Sequence, residues 1–131
     1  MDPKIDSKID ERIVMYIFVN TDLKMSAGKI ASQVGHVVQL ITEEIIRKGY
    51  EINPTPKCYF DYVKWKKIFG CAKIILKANT LQLKELIERD NSRFIIDEGR
   101  TQVDPNSLTV VGFYPSSTND MNKITKEYKL L

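Results

Sequence analysis

The sequence has little of what usually announces a function. Only two of its 131 residues are cysteine, Cys58 and Cys71, and their spacing is not that of a metal site. A disulfide framework is not expected, and a reducing, cytoplasmic setting suits the chain better. There is one histidine, His36, and no His/Cys/carboxylate group has the spacing of metal ligands. No metal and no cofactor is expected. The six glycines form neither a G-x-G-x-x-G fingerprint nor a P-loop, so nucleotide binding has no motif behind it. No G-x-S-x-G elbow appears. No apolar run reaches transmembrane length, so no membrane partner is expected. Charge of one sign is also scarce. Lys plus Arg is 20 against Asp plus Glu at 17, a net +3, so a local patch would have to carry any anionic partner. Repeats, low-complexity segments and Gly/Ser linkers are absent. The start, MDPKIDSKIDER, mixes both charges without an apolar run. Residues 1–11 read as a mobile tail, neither signal nor transit peptide. Residues 12–131 read as a single domain, long enough for a sizeable core.

What is present is a clear alternation. Ile13-Val14-Met15-Tyr16-Ile17-Phe18-Val19 is apolar on both faces, the pattern of a fully buried strand, here from about Arg12. Asn20 and Thr21 end it, and helical spacing follows. Ile30, Val34, Val37, Val38, Ile41 and Ile45 fall within roughly 100° of arc. Lys29, Gln33 and His36 share a second stripe, centred about 120° from the first. The helix is expected over 27–48, with Gly49 as its stop. Tyr62, Trp65 and Phe69 suggest a short helix over 59–69. A second strand follows over 72–78, then a helix capped by Asn79 or Thr80. Phe94-Ile95-Ile96 is a short third strand and 108–114 a fourth. A last helix opens at Pro115–Thr118. The order is β-α-α-β-α-β-β-α. It predicts a three-layer α/β domain, a four-stranded mixed sheet with helices on both faces and its last two strands antiparallel.

Two polar segments sit at strand ends, where α/β sheets commonly bind ligands. One is the turn and helix opening with Lys24, Lys29, Gln33 and His36. The other is Asp97-Glu98-Gly99-Arg100-Thr101-Gln102, directly after the third strand. Such a hexapeptide is equally the composition of a plain turn.

The blocks TDLKMSAGKIASQVGH and IIDEGRTQVDPNSLTVVGFYP, with a terminal KLL, resemble the archaeal and eukaryotic type of peptidyl-tRNA hydrolase. That family's patterns run close to D-L-K-M-x-K-G-K-I-A-A-Q-x-x-H and D-A-G-R-T-Q. Two blocks in the right order are more specific than either alone, and the resemblance spans about 12–131. It implies a compact α/β domain and metal-free hydrolysis of the ester joining a peptide to the 3′ ribose of tRNA. It also implies contacts to the acceptor stem and 3′ end, and a homodimer.

The resemblance makes Asp97, Thr101 and His36 the catalytic candidates, and Lys24, Lys29, Gln33, Arg100 and Gln102 the substrate-binding ones. Asp97 would orient or deprotonate the attacking water; by position alone it reads as a turn cap for the amides of Gly99 and Arg100. Thr101 would position that water or stabilise the oxyanion, or is merely a β-branched residue opening an extended segment. His36 suits proton transfer to the leaving ribose oxygen, or is a half-buried histidine bonded to a neighbouring helix. Lys29 stands in a helix's first turn, where a cation is disfavoured, so it calls for an anionic partner: Asp97 or a phosphate. Lys24 and Arg100 would touch phosphate, Arg100 in bidentate fashion. Trp65, with Tyr62 and Phe69, is most simply core; Lys64, Lys66 and Lys67 beside it form a basic run. Three departures stand out. Ala27 occupies the place of a family lysine proposed as catalytic, Glu98 that of an alanine, and the NPTPKCYF loop looks inserted. The alternative to an enzyme is therefore a catalytically weakened tRNA-binding or protein-interaction module of the same fold.

Overall fold

Strand β1, Ile13–Asn20, is buried at every position. It runs through the middle of the sheet in the computed structural model, which describes residues 11–98 and 104–131. Its odd residues, Ile13, Met15, Ile17 and Val19, enter one core, and Val14, Tyr16 and Phe18 enter the other. Two cores on one strand explain a run with no polar alternation. β2 (Lys73–Ala78) pairs with β1 in parallel, β4 (Ser107–Phe113) pairs with it antiparallel, and β3 (Ser92–Asp97) pairs antiparallel with β4. The strand order is β2-β1-β4-β3. This is the expected four-stranded mixed sheet, with one addition. A two-residue β5, Ser116–Ser117, continues β4 along β1. Ile17 faces Gly112 but Val14 faces Ser116, one residue out of register. Pro115, which cannot donate to a ladder, lies at the break.

Helices α1 (Ala27–Glu51) and α2 (Lys57–Lys67) cover one face, and α3 (Thr80–Leu86) and α4 (Thr118–Thr125) the other. The layers are those expected. No helix among the described residues is long and apolar enough to cross a membrane. α3 starts at a capping box: Asn79 accepts from the Gln82 amide at 2.8 Å, and Gln82 accepts from the Asn79 amide at 2.9 Å. Trp65 belongs to the core at 2% exposure and donates to the Ala72 carbonyl at 2.7 Å. Lys64, Lys66 and Lys67 beside it are exposed.

Two expectations for α1 change. The helix does not stop at Gly49 but runs to Glu51, with Ile52 as its C-cap. Gly49 is there for closeness, since a Cβ on it would lie 2.2 Å from the Tyr59 ring. The buried row is also displaced from the apolar stripe. Gln33, Val37, Ile41 and Ile45, four apart, are the fully buried ones, whereas Ile30, Val34 and Val38 are partly covered. Close approach over β4 sets this row: a Cβ on Gly112 would be 3.0 Å from Ile41 and 3.1 Å from Val37. Each aliphatic side chain in the row is worth about 1.5–3 kcal/mol of burial. Lys29 heads the same row, one turn before Gln33.

The far end of α1 is tied to the sheet by charge. Tyr114, 1% exposed, donates its phenol to Glu44 and accepts from Lys48 Nζ at 2.9 Å and Arg93 Nη2 at 3.0 Å. Arg93 also pairs with Glu44. Burial raises the Glu44 carboxyl, but the bonds from Arg93 and Tyr114 and the charges of Arg93 and Lys48 outweigh it, so the group titrates below the usual carboxylate value. Burial and the bond to Glu44 push the Tyr114 phenol up.

At the outer edge of β2 the chain's last residues lie alongside. The Lys77 amide donates to Lys129 O at 2.8 Å, and the Leu131 amide to Ile75 O at 3.0 Å. Leu130 bridges Leu76 antiparallel.

Candidate active site

Three local structures converge where β1 and β3 end. Asn20, 2% exposed, closes β1 by donating to the Leu108 carbonyl at 2.8 Å and to Thr80 Oγ1 at 2.9 Å, while its Oδ1 accepts from the Asp22 amide at 2.9 Å. That fixes the turn leading to α1. Ser26 caps the helix by accepting from the Lys29 amide at 3.2 Å. β3 ends at Asp97, whose carbonyl accepts from the Asn106 amide at 2.8 Å.

Lys29 and Asp97 meet there. The ammonium donates to Asp97 Oδ1 at 2.7 Å, and the two side chains are only 10% and 9% exposed. Of the partners anticipated for Lys29, the fold supplies the carboxylate. The pair forms one wall of a pocket of about 400 Å³, lined also by Ser32, Gln33, His36, Ile95 and Glu98. His36 is exposed at its edge rather than buried against another helix. Gln33 is 3% exposed, and its Oε1 accepts from Thr109 Oγ1 at 2.6 Å.

Lys29, Gln33, His36 and Asp97 are thus brought together from two chain segments. Lys24 is not among the lining residues; it is exposed in the β1–α1 turn with φ +49°. Ala27 is exposed at the first position of α1. Arg100, Thr101 and Gln102 lie outside the described residues. Ser32 and Thr109 did not stand out in the sequence. Thr109 carried one weak signal, a hydroxyl within the apolar strand 108–114, which needs a partner once buried. A larger hollow of about 490 Å³ lies at the other end of the sheet, and the Lys57 and Asp61 that line it pair with each other at 2.6 Å.

A polar pocket at the carboxyl ends of strands in an α/β sheet, walled by a buried lysine–carboxylate pair, marks an α/β domain with a ligand site. Comparison with known proteins specifies which. A family described as peptidyl-tRNA hydrolase PTH2 matches residues 13–131. A "Peptidyl-tRNA hydrolase" of Sulfolobus acidocaldarius is 32% identical over 128 residues, covering 89% of this chain and 98% of its own length. One from Methanococcus vannielii is 35% identical over 123 residues, covering 88% and 96%. A "Probable peptidyl-tRNA hydrolase 2" of Drosophila melanogaster is 32% identical over 130 residues, covering 94% of this chain; the chain spans 64% of that protein's length. The chain belongs to the peptidyl-tRNA hydrolase PTH2 family, and its class is that of a hydrolase.

Proposed function

We propose that the chain hydrolyses the ester between peptide and tRNA in peptidyl-tRNA, with water as nucleophile and no metal. The observation that carries this is the buried Lys29–Asp97 pair in the wall of a pocket shared with Gln33 and His36. Asp97 takes a proton from water as the water oxygen bonds to the ester carbonyl carbon. Negative charge on the carbonyl oxygen meets the Lys29 ammonium. The tetrahedral intermediate collapses, the carbon–oxygen bond to the 3′ ribose breaks, and the ribose oxygen takes up the proton, with His36 as the donor. His36 is then reprotonated from Asp97 through solvent, which returns both groups to their starting state. Thr101 helps to hold the water, and Lys24, Arg100 and Gln102 hold the acceptor stem and 3′ end.

Phosphate contacts carry little sequence information, so one protein would serve many tRNAs. The setting is cytoplasmic. The active form is a homodimer, a reading supported by β3, which pairs on one side only among the described residues and leaves Phe94 and Ile96 44% and 41% exposed.

Incubation of the protein with N-blocked aminoacyl-tRNA in the presence of EDTA, followed by measurement of free tRNA, tests the proposal. Release is expected. Tight tRNA binding without release at high protein concentration would favour the weakened module, a reading for which Ala27 speaks.

A further inference from the structure

We infer that Thr109 is a positioning residue that turns Gln33 into a hydrogen-bond donor toward the ester carbonyl oxygen. The inference rests on the hydrolase reading above. It begins with a break in the sheet. Ile95 of β3 faces Val110 of β4, but Ile96 faces Leu108. Thr109 is the extra residue, a β-bulge on β4. In a regular strand Leu108 and Val110 would share a face. Here Leu108 packs with the core under α3 and α4, and Val110 with the core under α1. The bulge thereby turns Thr109 toward α1, where its hydroxyl meets Gln33. Thr109 is 0% exposed, so its hydroxyl must be satisfied inside the protein.

Its single proton has two acceptors within reach, Gln33 Oε1 at 2.6 Å and Ile95 O at 3.2 Å. The first lies inside the usual range for a hydroxyl donor, about 2.5–3.0 Å, and the second outside it. The proton therefore goes to Gln33. With Oε1 taken, Nε2 and its two N–H groups occupy the other side of the carboxamide. Gln33 is buried and lines the pocket beside Lys29 and Asp97, and no described residue accepts from Nε2. An amide fixed that way supplies a neutral donor where negative charge develops, at no cost of reorientation during the reaction. Without Thr109 the carboxamide could rotate and present oxygen instead, which would repel the oxyanion.

The test uses Thr109→Val, Thr109→Ser, Gln33→Glu and Gln33→Ala in the full chain. Thr109→Val should lower kcat on one peptidyl-tRNA by about tenfold or more with KM and tRNA affinity unchanged, as for a misdirected oxyanion donor. Thr109→Ser should recover most of the loss, and Thr109→Val should cost little further in a Gln33→Ala background. Gln33→Glu keeps an acceptor for Thr109, so it guards against a folding artefact; it should lose kcat as Gln33→Ala does. An independent readout needs no turnover: the two Gln33 side-chain N–H signals in NMR should be displaced from the positions of a free carboxamide and exchange slowly with solvent in the natural protein, and move toward those positions and exchange faster in Thr109→Val. Unchanged kcat in Thr109→Val, full activity of Gln33→Glu, or identical amide signals in both proteins would overturn the inference. Absence of turnover in the natural protein would instead sink the hydrolase reading, with the amide signals still deciding the orientation of Gln33.

Discussion

The ammonium of Lys29, in the first turn of α1, lies 2.7 Å from Oδ1 of Asp97, the last residue of β3, and both side chains are about nine-tenths buried. Neither charge has much water to fall back on. The two therefore form one electrostatic unit.

Asp97→Asn should reduce turnover by about a hundredfold or more while tRNA affinity changes little, the signature of a lost general base. Lys29→Ala takes the ammonium away from a buried carboxylate and should lower stability by about 1–3 kcal/mol. A double-mutant cycle by chemical denaturation and by kinetics should show strong coupling in both. Additive losses would mean that the contact is incidental.

Asp97 and Lys29 also show how far sequence reading reached. The two blocks that hold them could be read from strand ends and helical spacing, and a mixed sheet with its last two strands antiparallel followed from the order of elements, though the order of strands within the sheet did not. Gln33 was less legible. Spacing put it on a polar flank, yet it sits in the row of Val37, Ile41 and Ile45, because Gly112 lets that row approach the sheet. Gly49 looked like a helix stop, but its role is set by the Tyr59 ring ten residues on, which local rules do not see. The bulge at Thr109 depends on pairing with β3, a long-range register that no single segment encodes.

Glu44 sets a pH-dependent part of the stability. Its carboxyl titrates lower in the folded chain than in the unfolded one. The unfolded chain therefore binds the proton more readily. The contribution is present above the ordinary carboxylate value of about 4.3, and is lost as pH falls through the folded value. Glu44→Gln should lower stability at neutral pH by about 1–3 kcal/mol, since Arg93 and Tyr114 lose a charged acceptor. Its acid-denaturation profile should be flatter than that of the natural protein; matching profiles would show that the Glu44 network does not feel pH.

Ala27 is exposed at the first position of α1, so Ala27→Lys meets no steric obstacle. A cation at that helix end costs about 0.3–1 kcal/mol in stability. Lys29 points about 200° around the helix from position 27 and is already bound to Asp97, so it cannot stand in for a second lysine. Ala27→Lys should raise turnover about tenfold, equivalent to about 1.4 kcal/mol in the transition state. Lys24→Ala should harm the natural protein more than this variant. Steady-state kinetics on all four proteins decides it, and an unchanged or lower rate in Ala27→Lys would reject the idea that a lysine is missing at that position and that Lys24 partly compensates for it.

Phosphate contacts are separable by salt. Arg100→Ala should weaken tRNA binding and flatten its salt dependence, by about one unit of slope for the lost contact, with kcat preserved. A slope equal to that of the natural protein would remove that residue from the tRNA surface.

The sheet's two borders are unequal. Beside β2 the amide of Leu131 and the carbonyl of Lys129 already occupy the ladder positions, whereas β3 carries no such neighbour among the described residues. A molecule with one adhesive border can join a second of its kind, border to border about a two-fold axis, and then has nothing left to offer a third. For the homodimer proposed above, strand addition at β3 would be self-limiting: it would stop at a pair, and a growing fibre would require the Lys129–Leu131 segment to peel away first. Concentrated solutions should hold particles of two sizes and none larger until that segment is dislodged.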